Sequence, residues 1–178
     1  MYCEDDILIT EANFDAYVDI QNKLPLPYVC GFLRYENKVG SDQKWLIDNH
    51  PSSSCLRFGK TVIKDNYILN GEDYFEVYNF HQGCYVLTKK LMNYVIDGGF
   101  YRTFNDHYAG RELKGAASNV FMKGGITKVI PRKRVGELLI HHLPNKYMST
   151  DPNFTDDIVP TEKQIALMQP RYVDYKHE

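Results

Sequence analysis

A chain of 178 residues, 43% hydrophobic and 25% charged, suffices for one packed core and does not demand two. A net charge of −2 and a pI near 6.3 give no basic footprint for nucleic acid, whose binding domains cluster surplus Lys and Arg. No apolar run approaches the ~18 to 20 residues of a membrane span and no signal-peptide pattern opens the chain, so the sequence as given reads as a cytoplasmic protein without a membrane segment.

Glu4-Asp5-Asp6 is the first informative stretch, lying between Met1-Tyr2-Cys3 and the apolar Ile7-Leu8-Ile9. Adjacent carboxylates at a strand end make a hard-oxygen site, suited to Mg²⁺ or Mn²⁺ and through the metal to phosphate. The competing reading is a solvated acidic turn whose charge favours the N-terminus of the next helix. That helix is expected from Glu11 to Lys23, with Thr10 as N-cap, Phe14, Tyr17, Val18 and Leu24 on one face, and Pro25 and Pro27 as stops. Tyr28 to Glu36 reads as one strand, on which Arg34 and Glu36 share a face either as edge decoration or toward a ligand.

From Ser41 to Tyr78 the pattern becomes antiparallel, with short runs at Asp42 to Asp48, Leu56 to Lys64, Tyr67 to Leu69 and Tyr74 to Tyr78. Asp65-Asn66 and Asn70-Gly71 separate them as turns, the latter a type I′ hairpin because both residues tolerate positive φ. The aromatic residues of this insertion serve as strand formers or as stacking faces for sugar rings. Phe80-His81-Gln82-Gly83-Cys84 then leads into Tyr85-Val86-Leu87, and Thr88 caps a helix from Lys89 to Ile96. Gly83, just before a strand, allows close backbone approach to a ligand; a turn with a surface histidine is the alternative.

A further helix is expected around Gly110 to Met122, with Glu112 at its front, where a glutamate serves the macrodipole. Ile126 to Ile130 reads as a strand, and Lys128 to Arg134 as its solvated basic edge or as a phosphate-facing patch. Leu138 to Pro144 is a strand carrying His141 and His142, which must point to opposite faces. His142 shares its face with Leu138 and Ile140, the more apolar side. Residues 149–178 read as a polar tail after a domain over 1–148, and Asn153-Phe154-Thr155 is a glycosylation sequon. Cys3, Cys30, Cys55 and Cys84 have no metal or redox spacing; buried free thiols are the default expectation, with a disulfide as the alternative if the parent protein is secretory.

Taken in order, Tyr2 to Ile9, the helix, Pro27-Tyr28-Val29-Cys30-Gly31-Phe32-Leu33-Arg34-Tyr35-Glu36, Asn79 to Thr88 and Ile140 to Tyr147 resemble the metal-motif and acceptor-binding half of a GT-A-fold glycosyltransferase. The resemblance implies an α/β fold, a mixed sheet of GT-A type with an antiparallel insertion and flanking helices. It implies a Mn²⁺ or Mg²⁺ ion on Asp5, Asp6 and His142, and a nucleotide diphosphate sugar contacted by Glu4, Asp5, Arg34, His81, Gln82 and Gly83. The activity implied is sugar transfer to the hydroxyl of a glycan or other acceptor. Glu112 is the catalytic base that the resemblance suggests, with Asp106 as substitute. Such a domain carries a nucleotide-binding βαβ half before its acidic motif, so the expectation is a fragment whose full-length form is lumenal (Golgi or ER) if it bears an N-terminal anchor. A non-catalytic carbohydrate- or protein-binding remnant of the same fold is the alternative.

Overall fold

The computed structural model describes residues 1–37, 40, 42, 44–47, 63–77, 83–99, 120–121 and 125–144. Among these the class is α/β: helices stand beside sheets that mix parallel and antiparallel pairs. The order is β1 (Tyr2–Cys3), β2 (Ile7–Leu8), α1 (Glu11–Lys23), β3 (Tyr28–Cys30), β4 (Leu33–Asn37), β5 (Lys44–Leu46), β6 (Ile63–Leu69), β7 (Glu72–Val77), β8 (Cys84–Tyr85), α2 (Lys89–Asp97) and β9 (Thr127–Pro131). A 3₁₀ helix over Arg132–Leu138 then runs into β10 (Leu139–His142). Among the described residues one four-stranded sheet has the order β2-β10-β4-β5, a second has the order β3-β9-β7-β6, and β1 pairs with β8. Among the described residues no helix is long and apolar enough to cross a membrane.

Helix α1 begins where Thr10 was expected to cap it, and Thr10 and Asn13 close a reciprocal capping box. Its buried face is Ala16, Tyr17, Ile20, Gln21 and Leu24, whereas Phe14 and Val18, expected inside, are each 40% exposed. The polar Gln21 takes the inner position because it has work for its amide: Gln21 Oε1 accepts from the Cys30 N–H at 2.8 Å. Tyr17 stacks on Phe32 and donates its hydroxyl to the Val86 carbonyl, so the helix is keyed to two loops at once.

The expected single strand from Tyr28 to Glu36 is two. β3 pairs in parallel with β9 and β4 in parallel with β10, so the chain changes sheets at Gly31-Phe32. The hairpin at Asn70-Gly71 forms with φ of 51° and 82°, the left-handed pair that a type I′ turn requires. Asp65-Asn66, expected as a turn, lies inside β6 beside a register irregularity between Ile63 and Asp65. The antiparallel hairpin extends a sheet, because β7 pairs with β9 through Tyr74–Pro131 and Phe75–Ile130. The expected strand at Leu56 to Lys64, for all but its last two residues, and the tail at 149–178 lie outside the described residues.

Residues 128–134 are not a solvated edge. β9 is an inner strand, Lys128 is 1% exposed, Arg132 bonds Asn66 at 2.6 Å, and Arg134 clamps Asp19 and Glu137. Lys133 is exposed, whereas Lys128 is buried and Arg132 and Arg134 reach Asn66 and Asp19, neighbours that sequence spacing does not reveal.

Candidate functional site

The acidic triplet is a turn. The Ile7 N–H reaches the Glu4 carbonyl at 3.3 Å, which folds Glu4-Asp5-Asp6-Ile7 back between β1 and β2. Both flanks are anchored: the Glu4 N–H donates to the Gly83 carbonyl at 2.7 Å, and the Leu143 N–H donates to the Asp6 carbonyl at 2.8 Å. The turn is therefore held against the start of β8 and the end of β10.

Strand register brings the other polar groups to it. β4 and β10 are parallel with Ile140 beside Arg34 and His141 beside Tyr35, so His142 falls level with Glu36 on the face that also carries Arg34. On the opposite face His141 stacks on Tyr35, ring centroids 4.8 Å apart. Arg34, Glu36 and His142 are 5%, 0% and 2% exposed, so this polar row lies inside the protein. The strand beginning at Leu139 owes its position partly to Asn13, whose side-chain amide donates to the Glu137 and Leu139 carbonyls.

His142 lies between two carboxylates. Its Nδ1 is 2.5 Å from Glu36 Oε1, and its Nε2 is 3.2 Å from Asp6 Oδ2. A neutral imidazole has one N–H and one lone pair, so it satisfies one carboxylate and meets the other lone pair to lone pair. A second ring proton or a cation between Nε2 and Asp6 resolves that conflict. Asp6 Oδ1 is buried and has no hydrogen-bond partner among the described residues. Uncompensated burial of a carboxylate oxygen is costly, and a bound cation is one remedy.

Glu4 completes the group. Its Oε2 is 4.0 Å from Arg34 Nη1, and Tyr2 donates its hydroxyl to Oε1 at 3.3 Å. Burial raises the Glu4 carboxyl above its ordinary value and Asp6 adds to the rise, while Arg34, Tyr2 and His142 oppose it. Burial, reinforced by the Glu4 charge, pushes the Tyr2 phenol up to about 12. Asp5 stands exposed at the tip of the turn.

These donors suit a divalent ion. Two ligands at right angles about an octahedral ion at ~2.1 Å lie about 3 Å apart, close to the separation of Nε2 and Oδ2. A histidine that ligates a metal through one nitrogen usually donates the other N–H to a carboxylate, the relation that Glu36 has to His142. Among the described residues no group of three or more His, Cys, Asp or Glu side chains is arranged to hold a metal by itself.

Of the residues singled out in the sequence, the structure gathers Glu4, Asp6, Arg34 and His142 in one place, with Asp5 on the same turn. Gly83 adjoins them, but the space of its absent side chain belongs to the protein: a Cβ would come within 2.5 Å of Ile7 and 3.2 Å of Arg34. Its smallness serves packing. His81, Gln82, Asp106 and Glu112 lie outside the described residues. Glu36, read from the sequence with Arg34 as edge decoration or as facing a ligand, joins the cluster through His142; its even spacing from Arg34 was the available signal. No protein-family model, curated protein or solved structure matches the chain.

Proposed function

We propose that the chain is the metal-motif and acceptor-binding half of a GT-A-like glycosyltransferase, acting on a nucleotide diphosphate sugar and an acceptor hydroxyl. The observation that carries this reading is His142, buried between Glu36 and Asp6 with one Asp6 oxygen left without a partner. Asp6 and His142 would hold Mn²⁺ or Mg²⁺, with Asp5 as the exposed third candidate. Two protein ligands are what a magnesium-type diphosphate site ordinarily provides, because phosphate oxygens and water fill the remaining positions. Imidazole among them favours Mn²⁺. When bound, the ion supplies charge to offset that of the departing diphosphate.

The chain's own residues do the rest. Glu36 fixes the ring of His142 and its tautomer by accepting from Nδ1, so the Nε2 lone pair stays directed at Asp6. Arg34, held by Glu4, adds a positive charge beside the acidic turn without ligating the ion. His81, Gln82 and a carboxylate at Glu112 or Asp106 are the candidates for donor contact and for taking the acceptor proton.

Titration calorimetry of UDP and GDP in the presence of Mn²⁺ tests the reading with the intact chain and Asp6→Asn. Metal-dependent binding by the parent and its loss in the variant, with an unchanged circular dichroism spectrum, is the expected result. Equal nucleotide binding by both proteins removes the acidic turn from the site. If neither nucleotide nor metal binds the parent, the fold is a binding remnant and not a transferase.

A further inference from the structure

The sequence offers no cysteine motif, but the fold pairs two thiols. β1 and β8 run antiparallel with Tyr2 opposite Tyr85 and Cys3 opposite Cys84. The Glu4 N–H bonds the Gly83 carbonyl at 2.7 Å, so Glu4 and Gly83 are bonded neighbours across the ladder. Antiparallel ladders alternate between hydrogen-bonded and non-hydrogen-bonded pairs, which makes Cys3 and Cys84 a non-hydrogen-bonded pair. Pairs of that type approach most closely, with Cα atoms about 4.5 Å apart, inside the ~4.4 to 6.8 Å range of disulfides. The two side chains, directly opposite in the register, lie on the same face of the ladder. Both thiols are free, Cys3 exposed and Cys84 buried.

We propose that Cys3 and Cys84 form a reversible cross-strand disulfide that fastens β1 to β8 next to the acidic turn. The occasion for such a staple is the weakness of the ladder it closes. Two residues from each strand make a pair that is marginal by itself, supported on one side by the stacked rings of Tyr2 and Tyr85. The loop between the two cysteines spans most of the described fold, and constraint of the unfolded chain grows with loop length. Cys30 takes no part, because it is buried in β3 of another sheet. The inference stands apart from the metal reading, since it uses only the strand register.

The oxidant is a small disulfide of the glutathione type. The exposed Cys3, as thiolate, attacks one sulfur of oxidised glutathione; a Cys3–glutathione disulfide forms and one glutathione thiolate leaves. Cys84 attacks the Cys3 sulfur, the mixed bond breaks, and the Cys84 proton passes to the second glutathione sulfur, which leaves as the thiol. Two protein thiols are oxidised and one glutathione disulfide is reduced to two thiols. A reducing glutathione pool reverses both steps.

The test equilibrates the full chain in glutathione buffers of graded redox ratio, quenches with an alkylating agent, and maps peptides by mass spectrometry. The expected result is a Cys3–Cys84 cross-linked peptide, an intact mass lower by two hydrogens, and a higher unfolding temperature for the oxidised form. Cys84→Ala is expected to accumulate a stable glutathione adduct on Cys3, because the resolving thiol is gone, while Cys3→Ser yields neither adduct nor cross-link at Cys84. A wild-type protein that stops at the Cys3 adduct, or that cross-links through Cys30 or Cys55 instead, overturns the proposal.

Discussion

Glu36 shows how one residue sets the chemistry of its neighbours. It is fully buried and hydrogen-bonded to His142 Nδ1, so the ring behind the acidic turn cannot rotate freely. Glu36→Leu leaves the Nδ1–H without that acceptor in a dry site. The expected cost is about 1 to 3 kcal/mol, read as a lower urea midpoint with an unchanged slope. Glu36→Gln keeps an acceptor oxygen and the shape, so it is expected to retain most of the stability while weakening Mn²⁺ binding by about 10-fold or more in calorimetry. A Gln variant that binds Mn²⁺ as the parent does would show that Glu36 serves packing alone.

At the scale of elements, α1 and the 3₁₀ helix are joined by charge as well as by burial. Arg134 grips Glu137 with two nitrogens, at 2.6 and 3.0 Å, and reaches Asp19 on α1. Hydrogen bonds from Arg134 hold the Asp19 and Glu137 carboxyls below their ordinary values, with Lys23 adding to the effect on Asp19. A carboxyl whose folded value is depressed stabilises the fold above its unfolded value, and that contribution is lost as pH falls through the folded value. The unfolded reference for these groups is about 4, so Arg134→Gln is expected to lose stability at neutral pH. The gap between variant and parent is expected to narrow as pH falls below about 4, where both carboxyls protonate. Guanidinium unfolding would mask such charges with salt, so urea titrations across that range are the measurement. A gap that does not change with pH would assign the role of Arg134 to packing of its stem.

For the whole molecule, β9 is the strand on which the parts converge. It pairs in parallel with β3 and antiparallel with β7, Val129 and Ile130 are 0% exposed, and the 3₁₀ helix and β10 follow directly from it. β1 and β8 form the opposite extreme, a ladder of two residues on each side. Local opening follows contact density, so native-state hydrogen exchange is expected to be slowest at Val129, Ile130 and Phe75 and faster at Tyr2 and Tyr85 in the reduced protein. Oxidation of the Cys3–Cys84 pair is expected to slow the latter. Equal protection of β1 and β9 in the reduced protein would mean that the chain opens only as one unit.

What the sequence determined by itself was local. Thr10 before an amphipathic run, Asn70-Gly71 between two strands and Thr88 ahead of α2 carry their own backbone chemistry, so the caps and the hairpin formed where those residues stand. The acidic triplet and the face of β10 that carries His142 were legible for the same reason, since side-chain alternation needs no knowledge of partners. Pairing between distant strands was not legible. The break at Gly31-Phe32, the inner position of β9 and the burial of Lys128 depend on which strands meet, and that is decided by burial of the whole apolar set. Register between β4 and β10 put Glu36 beside His142, and register between β1 and β8 put Cys3 opposite Cys84. Only tertiary structure decided these two pairs, because residues about a hundred positions apart in the first and eighty in the second carry no local signal of each other.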